Sequence, residues 1–146
     1  MDWKHKDMWS LRGKNFLVQI SRHGEEKPES ERSFCYDEEG PHRWCVYAYI
    51  YPDHPNFGKF EGDAIWQEAS GALPLHGGCS FLRYHRSDDG AKVTSVQVGC
   101  DYNHLHDTEF TRYATKDEAY EVFADAEALY QRLDGIQAVE KAKEGS

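Results

Sequence analysis

The sequence predicts an α+β protein, in which an antiparallel sheet of about four to five strands carries a C-terminal helix packed on one face. Residues 44–51 alternate between two sets of side chains, which is typical of a strand. Two further β-rich segments, 79–86 and 92–100, flank Asp89-Gly90, a dipeptide that favours a hairpin turn. Residues 116–133 place apolar side chains at the spacing of one helix face.

The N-terminal part is predicted to contain one strand and one long loop. Residues 1–15 are polar apart from two tryptophans and a few apolar residues, which predicts a short amphipathic helix or an N-terminal strap. Residues 16–20 are β-rich and predict a short strand. Residues 21–43 are predicted to be a loop insertion, because their first half contains no apolar side chain, with a short edge strand at 33–36.

Residues 44–51 form the strongest strand pattern of the sequence. Trp44 and every second residue to Ile50 lie on one face, and Cys45 and every second residue to Tyr51 lie on the other. Since both faces are apolar or aromatic, a central position in the sheet is predicted.

The connections after residue 51 are predicted to contain one helical turn and one hairpin turn. Residues 63–69, within an irregular stretch, predict one helical turn. The hairpin is expected to close through a type I′ turn, which needs positive φ at both central residues, here Asp89 and Gly90.

The C-terminal helix has start and stop signals. Thr115 and Glu118 have the spacing of a capping box, in which the two side chains satisfy free N–H groups of the first turn. Gly135 is predicted to end the helix. Residues 136–146 are then expected to form a frayed, charged tail.

Composition limits the classes of partner. The chain has 146 residues, 17 of them basic and 26 acidic, and a net charge of -9. This length suits a single domain, 1–146, with one core. The acidic balance argues against direct binding of a long nucleic acid, which needs an excess of Lys and Arg. A small anionic ligand, another protein or a second copy of the chain stays open as a partner.

Targeting and cysteine patterns predict a cytoplasmic protein. No apolar segment is long enough to span a membrane, and residues 1–6 do not lead into the apolar segment of a secretory signal. The cysteines at 35, 45, 79 and 100 lack the spacing of a zinc knuckle. We therefore expect free thiols in a reducing compartment, with no membrane contact.

Three segments carry candidate chemistry. Residues 51–59, 73–78 and 99–107 contain four of the eight histidines. Each directly precedes or follows a predicted strand, so the three are expected to gather at one end of the sheet.

One hypothesis is a pocket for an anion or a nucleotide. Gly77 and Gly78 would let the backbone approach a ligand closely, while lysine, arginine and histidine side chains would meet phosphate oxygens. The residues predicted to bind this ligand are His54, Lys59, His76, Gly77, Gly78, Arg83, Asp101, Tyr102 and His104.

A second hypothesis is a divalent metal site. His76, Asp101, His104 and Asp107 are ligand types that suit zinc, manganese or iron, and two histidines with a carboxylate would leave coordination positions open. No established ligand motif such as His-Glu-x-x-His accompanies them.

Three motifs occur in a fixed order within residues 44–133. His-Pro followed after one residue by aromatic-Gly-Lys lies at 54–59, His-Gly-Gly at 76–78, and Gly-x-Asp-x-x-His-x-x-Asp at 99–107, and the predicted helix comes after them. In this order the sequence resembles a family of small accessory proteins of tailed phages, prophages and mobile elements. The resemblance implies an accessory protein acting in the host cytoplasm, as a counter-defence or host-takeover factor.

Together these observations favour a non-catalytic factor that binds a small, nucleotide-like anion without a cofactor. Two alternatives are a metal-dependent hydrolase that uses the His/Asp cluster and an acidic inhibitor that covers a host nucleic-acid-binding protein. A structural role, in which His and Asp side chains tie loops to the backbone, accounts for each residue taken singly.

Overall fold

The computed structural model describes residues 7–24, 40–60, 71–104 and 107–144. The α+β prediction is confirmed, because a five-stranded antiparallel sheet is covered by one C-terminal helix.

The sheet contains the strands β1 (Asp7–Gly13), β2 (Phe16–Gly24), β3 (His42–Ile50), β4 (Phe81–Arg86) and β5 (Val93–Asp101). Their spatial order is β1-β2-β3-β5-β4, and every neighbouring pair is antiparallel. The central position predicted for residues 44–51 is therefore confirmed, since β3 lies in the middle.

One face of the sheet forms the core. The register pairs Ile20 with Val46 and Val46 with Cys100, so these side chains lie in one row across three strands. The helix α1 (Tyr120–Glu144) covers that row. Its buried side chains are Val122, Ala126, Leu129 and Leu133. Each valine or leucine side chain buried in this way stabilises the fold by roughly 1.5–3 kcal/mol.

Trp44 lies within this core at 1% exposure. Its indole stacks on Trp9 at 5.6 Å between ring centroids and meets the edge of Phe123 at 5.8 Å. The indole N–H donates to the carbonyl oxygen of Tyr113 at 3.0 Å, which satisfies the polar atom of this buried ring. The contact joins β1, β3 and α1.

The N-terminal prediction was wrong for the described residues. Residues 7–13 form β1 rather than a helix or a strap, because they pair along their whole length with residues 16–22 of β2 and Trp9 packs on Trp44 of the core.

The loop predicted for 21–43 is shorter than expected. β2 continues to Gly24 and β3 begins at His42, since the two strands pair along their whole length. The edge strand predicted at 33–36 and the helical turn predicted at 63–69 lie outside the described residues.

The hairpin between β4 and β5 is confirmed, but its turn is not type I′. Gly90 has a φ of 73°, whereas Asp89 is not among the residues with positive φ. The Gly90 N–H donates to the Ser87 carbonyl at 2.8 Å, and the Asp89 carboxylate accepts from Ser87 and from the Ala91 N–H. The aspartate thus builds an Asx-type turn within a longer loop.

The start of the helix is close to the prediction, but its end is not. The Glu118 N–H donates to the Thr115 hydroxyl at 3.2 Å, as in a capping box, and α1 follows from Tyr120. Gly135 does not end the helix, and residues 136–144 are helical rather than frayed. A glycine inside a helix costs only about 1 kcal/mol, which later helix-forming residues offset.

The last turns of α1 are attached to the first hairpin. The Gln137 side chain donates to the Lys14 carbonyl at 2.7 Å and accepts from the Asn15 amide at 3.1 Å. Asn15 has a φ of 67°, which asparagine tolerates in a tight turn. We call this pair of hydrogen bonds the hairpin–helix clasp.

Two further expectations concern membranes and thiols. Within the described part of the chain, no helix is long and apolar enough to cross a membrane. Cys79 and Cys100 are buried and Cys45 is half-buried, and none of these three forms a disulfide with another described residue, whereas Cys35 lies outside the described residues.

Two glycines allow a test of the packing. In Gly99→Ala the new Cβ would lie 2.4 Å from the Tyr47 ring and 2.6 Å from the Val46 carbonyl oxygen, so we expect the free energy of unfolding to fall by about 1–3 kcal/mol. In the control Gly135→Ala the Cβ meets nothing within 4 Å, and a gain of about 0.5–1 kcal/mol is expected. Urea unfolding measures both, and changes of the same sign would contradict this packing.

Candidate metal centre

Two loops at one end of the sheet bring two histidines onto one aspartate. His76 lies in the loop before β4, and His104 and Asp107 lie in the loop after β5. The His76 Nε2–H donates to Asp107 Oδ1 at 2.8 Å, and the His104 Nδ1–H donates to Oδ2 at 2.6 Å. The backbone N–H of His104 also donates to Oδ2, at 3.0 Å. We call these three residues the His/Asp cluster.

The Asp107 carboxylate is held in its charged form. Its side chain is only 4% exposed. Burial raises the pKa of Asp107, but the hydrogen bonds from His76 and from the backbone and ring of His104 outweigh burial, so the pKa lies below its ordinary value. A buried anion with both oxygens directed at imidazole nitrogens is a ready metal ligand.

Aromatic packing fixes the orientation of His76. Its ring stacks on Tyr102 with 4.3 Å between centroids and 15° between planes, and Phe110 meets its edge at 5.4 Å. The Tyr102 hydroxyl donates to Asp125 Oδ2 at 2.6 Å, which links the stack to α1. Burial raises the pKa of Tyr102, so the phenol keeps the proton that it donates.

The His-Gly-Gly loop is shaped by its glycines and by a thiol. Gly77 has a φ of 69°, and a Cβ there would lie 2.9 Å from Cε1 of His104. Gly78 also has a positive φ, 87°. The backbone N–H of His76 donates to the Cys100 sulfur, while burial raises the pKa of that thiol to about 12. Cys100 therefore acts as a neutral acceptor at the end of β5.

Asp101 contacts the cluster from outside. Its Oδ1 lies 3.8 Å from Nε2 of His104, the ring nitrogen that does not face Asp107. Histidines that ligate metals commonly direct their second nitrogen at a carboxylate, which orients the ring. Asp101, predicted as a ligand, thus occupies the place of an orienting partner.

The geometry fits an ion of the zinc, manganese or iron class. One ligand atom each from His76, His104 and Asp107 lies within 4.8 Å of the others. The His76 and His104 side chains are 27% and 34% exposed, so one side of the cluster faces solvent. An ion held by three protein ligands there keeps positions open for water or substrate. Comparison with protein-family models, with curated proteins and with solved structures found no match to this chain.

His54 does not join the cluster, so the expectation that three loops gather at one end was wrong. It follows β3, whose last residues pair with the first half of β5, whereas Asp101 ends β5. His54 is 2% exposed; its Nε2–H donates to the Leu133 carbonyl at 3.0 Å, and its Nδ1 accepts from the Asn56 N–H at 3.0 Å. The residue anchors the loop to α1.

Lys59 and Arg83 also lie apart from the cluster. Lys59 lines a surface depression together with Arg132 and Val139 of α1. Arg83 is exposed and pairs with Gln97, on the sheet face opposite α1. The described residues therefore do not form the anion pocket predicted from His54, Lys59, His76 and Arg83.

Two positioning residues were not found from the sequence. Phe110 packs on His76, and Asp125 accepts from Tyr102. Asp125 directly precedes Ala126, one of the apolar residues on the buried face of the predicted helix. An acidic residue at the edge of a buried helix face was the sequence pattern that could have indicated its role.

His54 should make stability depend on pH. Burial lowers the pKa of His54, and the nearby Lys59 charge adds to this, although the bond to Leu133 opposes it. The folded-state pKa lies below the unfolded value of about 6.5, so this stability is fully present above pH 6.5 and is lost progressively as the pH falls from there through the folded-state pKa. Glutamine at position 54 does not titrate, but its amide can still donate a hydrogen bond to the Leu133 carbonyl, so His54→Gln tests the role of titration.

Urea unfolding of the wild type and of His54→Gln, between about pH 7 and about pH 5, measures the effect. The variant should be less stable near pH 7 and should lose less stability on acidification. Burial and Arg22 also lower the pKa of His42, so part of the slope should stay in the variant. Equal slopes in the two proteins would contradict the assignment.

Gly77 should be required for the position of His104. Gly77→Ala adds a side chain at positive φ and places its Cβ against the His104 ring, so we expect a loss of about 1–3 kcal/mol in the free energy of unfolding. Gly58→Ala is the control, because its Cβ meets nothing within 4 Å. Urea unfolding, with imidazole NMR signals as the local readout, compares them. Unchanged His104 signals in Gly77→Ala would contradict the contact.

Proposed function

We propose that the protein is a metal-dependent hydrolase whose divalent ion is held by the His/Asp cluster. The observation that carries the proposal is the convergence of two imidazoles from separate loops on one buried carboxylate, with their ligand atoms within 4.8 Å. Two histidines and one carboxylate are a ligand set of both hydrolytic zinc and non-haem iron centres.

The chain's own residues would supply the binding and the orientation. Asp107 supplies the anionic ligand, and Tyr102 holds the His76 ring through stacking and through its bond to Asp125. Asp101 faces the outer nitrogen of His104. A bound ion would lower the pKa of a coordinated water and so provide a nucleophile at neutral pH.

The resemblance to phage and prophage accessory proteins supports a setting for this activity. An accessory factor of that kind acts on a molecule of the host, and a hydrolytic centre at an open surface suits a counter-defence role against a small substrate. The counter-defence role is proposed together with the hydrolase activity.

Metal content tests the binding step. Protein purified without a histidine tag and loaded with zinc, manganese or ferrous iron should retain about one equivalent of one of these metals after gel filtration. His104→Ala should lose it. His85→Ala is the matched control, because this half-buried histidine bonds to Gln97 away from the cluster and its variant should bind as the wild type does.

Hydrolysis tests the reaction separately. The metal-loaded wild type and His85→Ala should cleave at least one of a panel of p-nitrophenyl esters, phosphomonoesters and phosphodiesters, and excess chelator should abolish this activity. Less than about a tenth of an equivalent of metal in the wild type would overturn the metal site. One bound equivalent without turnover across the panel would instead overturn the hydrolase.

A further inference from the structure

A cavity of about 690 Å³ lies at the opposite end of the sheet from the His/Asp cluster. It opens between the 3₁₀ turn Phe57–Phe60, the end of β4 and the start of β5. Val93 lines this cavity and Asp101 ends the same strand, so the two sites are separated by roughly 26 Å along β5. Cavities of this volume are typical of sites for small organic ligands.

The walls of the cavity are aromatic and aliphatic. Phe57 and Tyr84 supply rings, and Val93 and Val96 supply the aliphatic surface. The Tyr84 hydroxyl donates to the Phe60 carbonyl oxygen, which fixes the ring against the 3₁₀ turn. A preformed aromatic wall of this kind favours a flat ring system, because stacking requires little reordering of side chains.

The charge of the lining is positive although the chain is acidic. Arg86 and Lys92 are its charged members, both are exposed, and neither forms an ion pair with any described residue. No carboxylate belongs to the described lining of this cavity, in a protein with a net charge of -9. Guanidinium and ammonium groups beside an apolar wall match a ligand that carries an anionic group at one end.

We propose that this cavity binds a small, planar aromatic anion of the size of a nucleoside monophosphate. The base would lie against Phe57 and Tyr84, and the phosphate would meet Arg86 and Lys92. The site does not share residues with the His/Asp cluster, so its ligand binding is independent of the proposed hydrolase.

Calorimetry on chelator-treated, full-length protein tests the proposal with AMP, UMP and anilinonaphthalene sulfonate as probes. At least one probe should bind. Where AMP binds, adenosine and inorganic phosphate should each bind about tenfold or more weakly than AMP, because adenosine lacks the phosphate and inorganic phosphate lacks the base. Absence of binding by all three probes would overturn the proposal.

Variants locate the site. Arg86→Gln and Lys92→Gln should each weaken binding of the bound probe about tenfold. Arg83→Gln is the matched control, since it removes the same charge from the same strand on the other face of the sheet and should change nothing. Equal weakening by the control, or no weakening by Arg86→Gln, would overturn the assignment.

A steric variant gives an independent readout. Gly58 lines the cavity and a Cβ there meets nothing within 4 Å, so Gly58→Phe should fill the space and abolish binding while urea unfolding stays close to the wild type. Retained binding in a folded Gly58→Phe protein would contradict the location. His104→Ala should keep full probe binding, so failure of the metal site and failure of this site are distinguishable.

Discussion

Trp44 is enclosed between Trp9 of β1 and Phe123 of α1, and this packing holds the helix on the sheet. The position of α1 in turn fixes the site, because Asp125 on the helix accepts a hydrogen bond from the Tyr102 hydroxyl, and the Tyr102 ring supports His76. The orientation of a surface imidazole is thus determined by the burial of apolar side chains several residues away. Rigid elements position a ligand better than a free loop does.

Asp107 performs two tasks with the same hydrogen bonds. A buried carboxylate needs donors, and the three N–H groups directed at it come from the loops before β4 and after β5. These bonds tie the loops together, which is the structural role that each residue would have if taken singly. They also place three ligand atoms within reach of one ion, because histidine offers the same nitrogen as a donor or, once deprotonated, as a ligand.

Side-chain alternation predicted the central strand and its buried face, since strands expose every second residue to the same side. Residue types and spacing also predicted a cluster of His76, Asp101, His104 and Asp107. The structure brings the two histidines and Asp107 together and leaves Asp101 at their edge. The place of His54 could not be read in this way, because the pairing of β3 with β5 decides which end each loop occupies. The end of the helix was mispredicted at Gly135 for a related reason. Local propensity favours a helix end at glycine, whereas the hydrogen bonds of Gln137 to the hairpin stabilise the helix beyond it.

The hairpin–helix clasp has a consequence for the order in which the chain acquires structure during synthesis. Asn15 and Gln137 are 122 positions apart, so the ribosome releases nearly all described residues before the two can meet. Until then the apolar face of β1, β2 and β3 has no cover, since the helix that buries it is made last among the described elements. Contacts between distant parts of a chain form slowly, and exposed apolar strands favour aggregation. The nascent chain therefore depends on its final helix to protect its first strands.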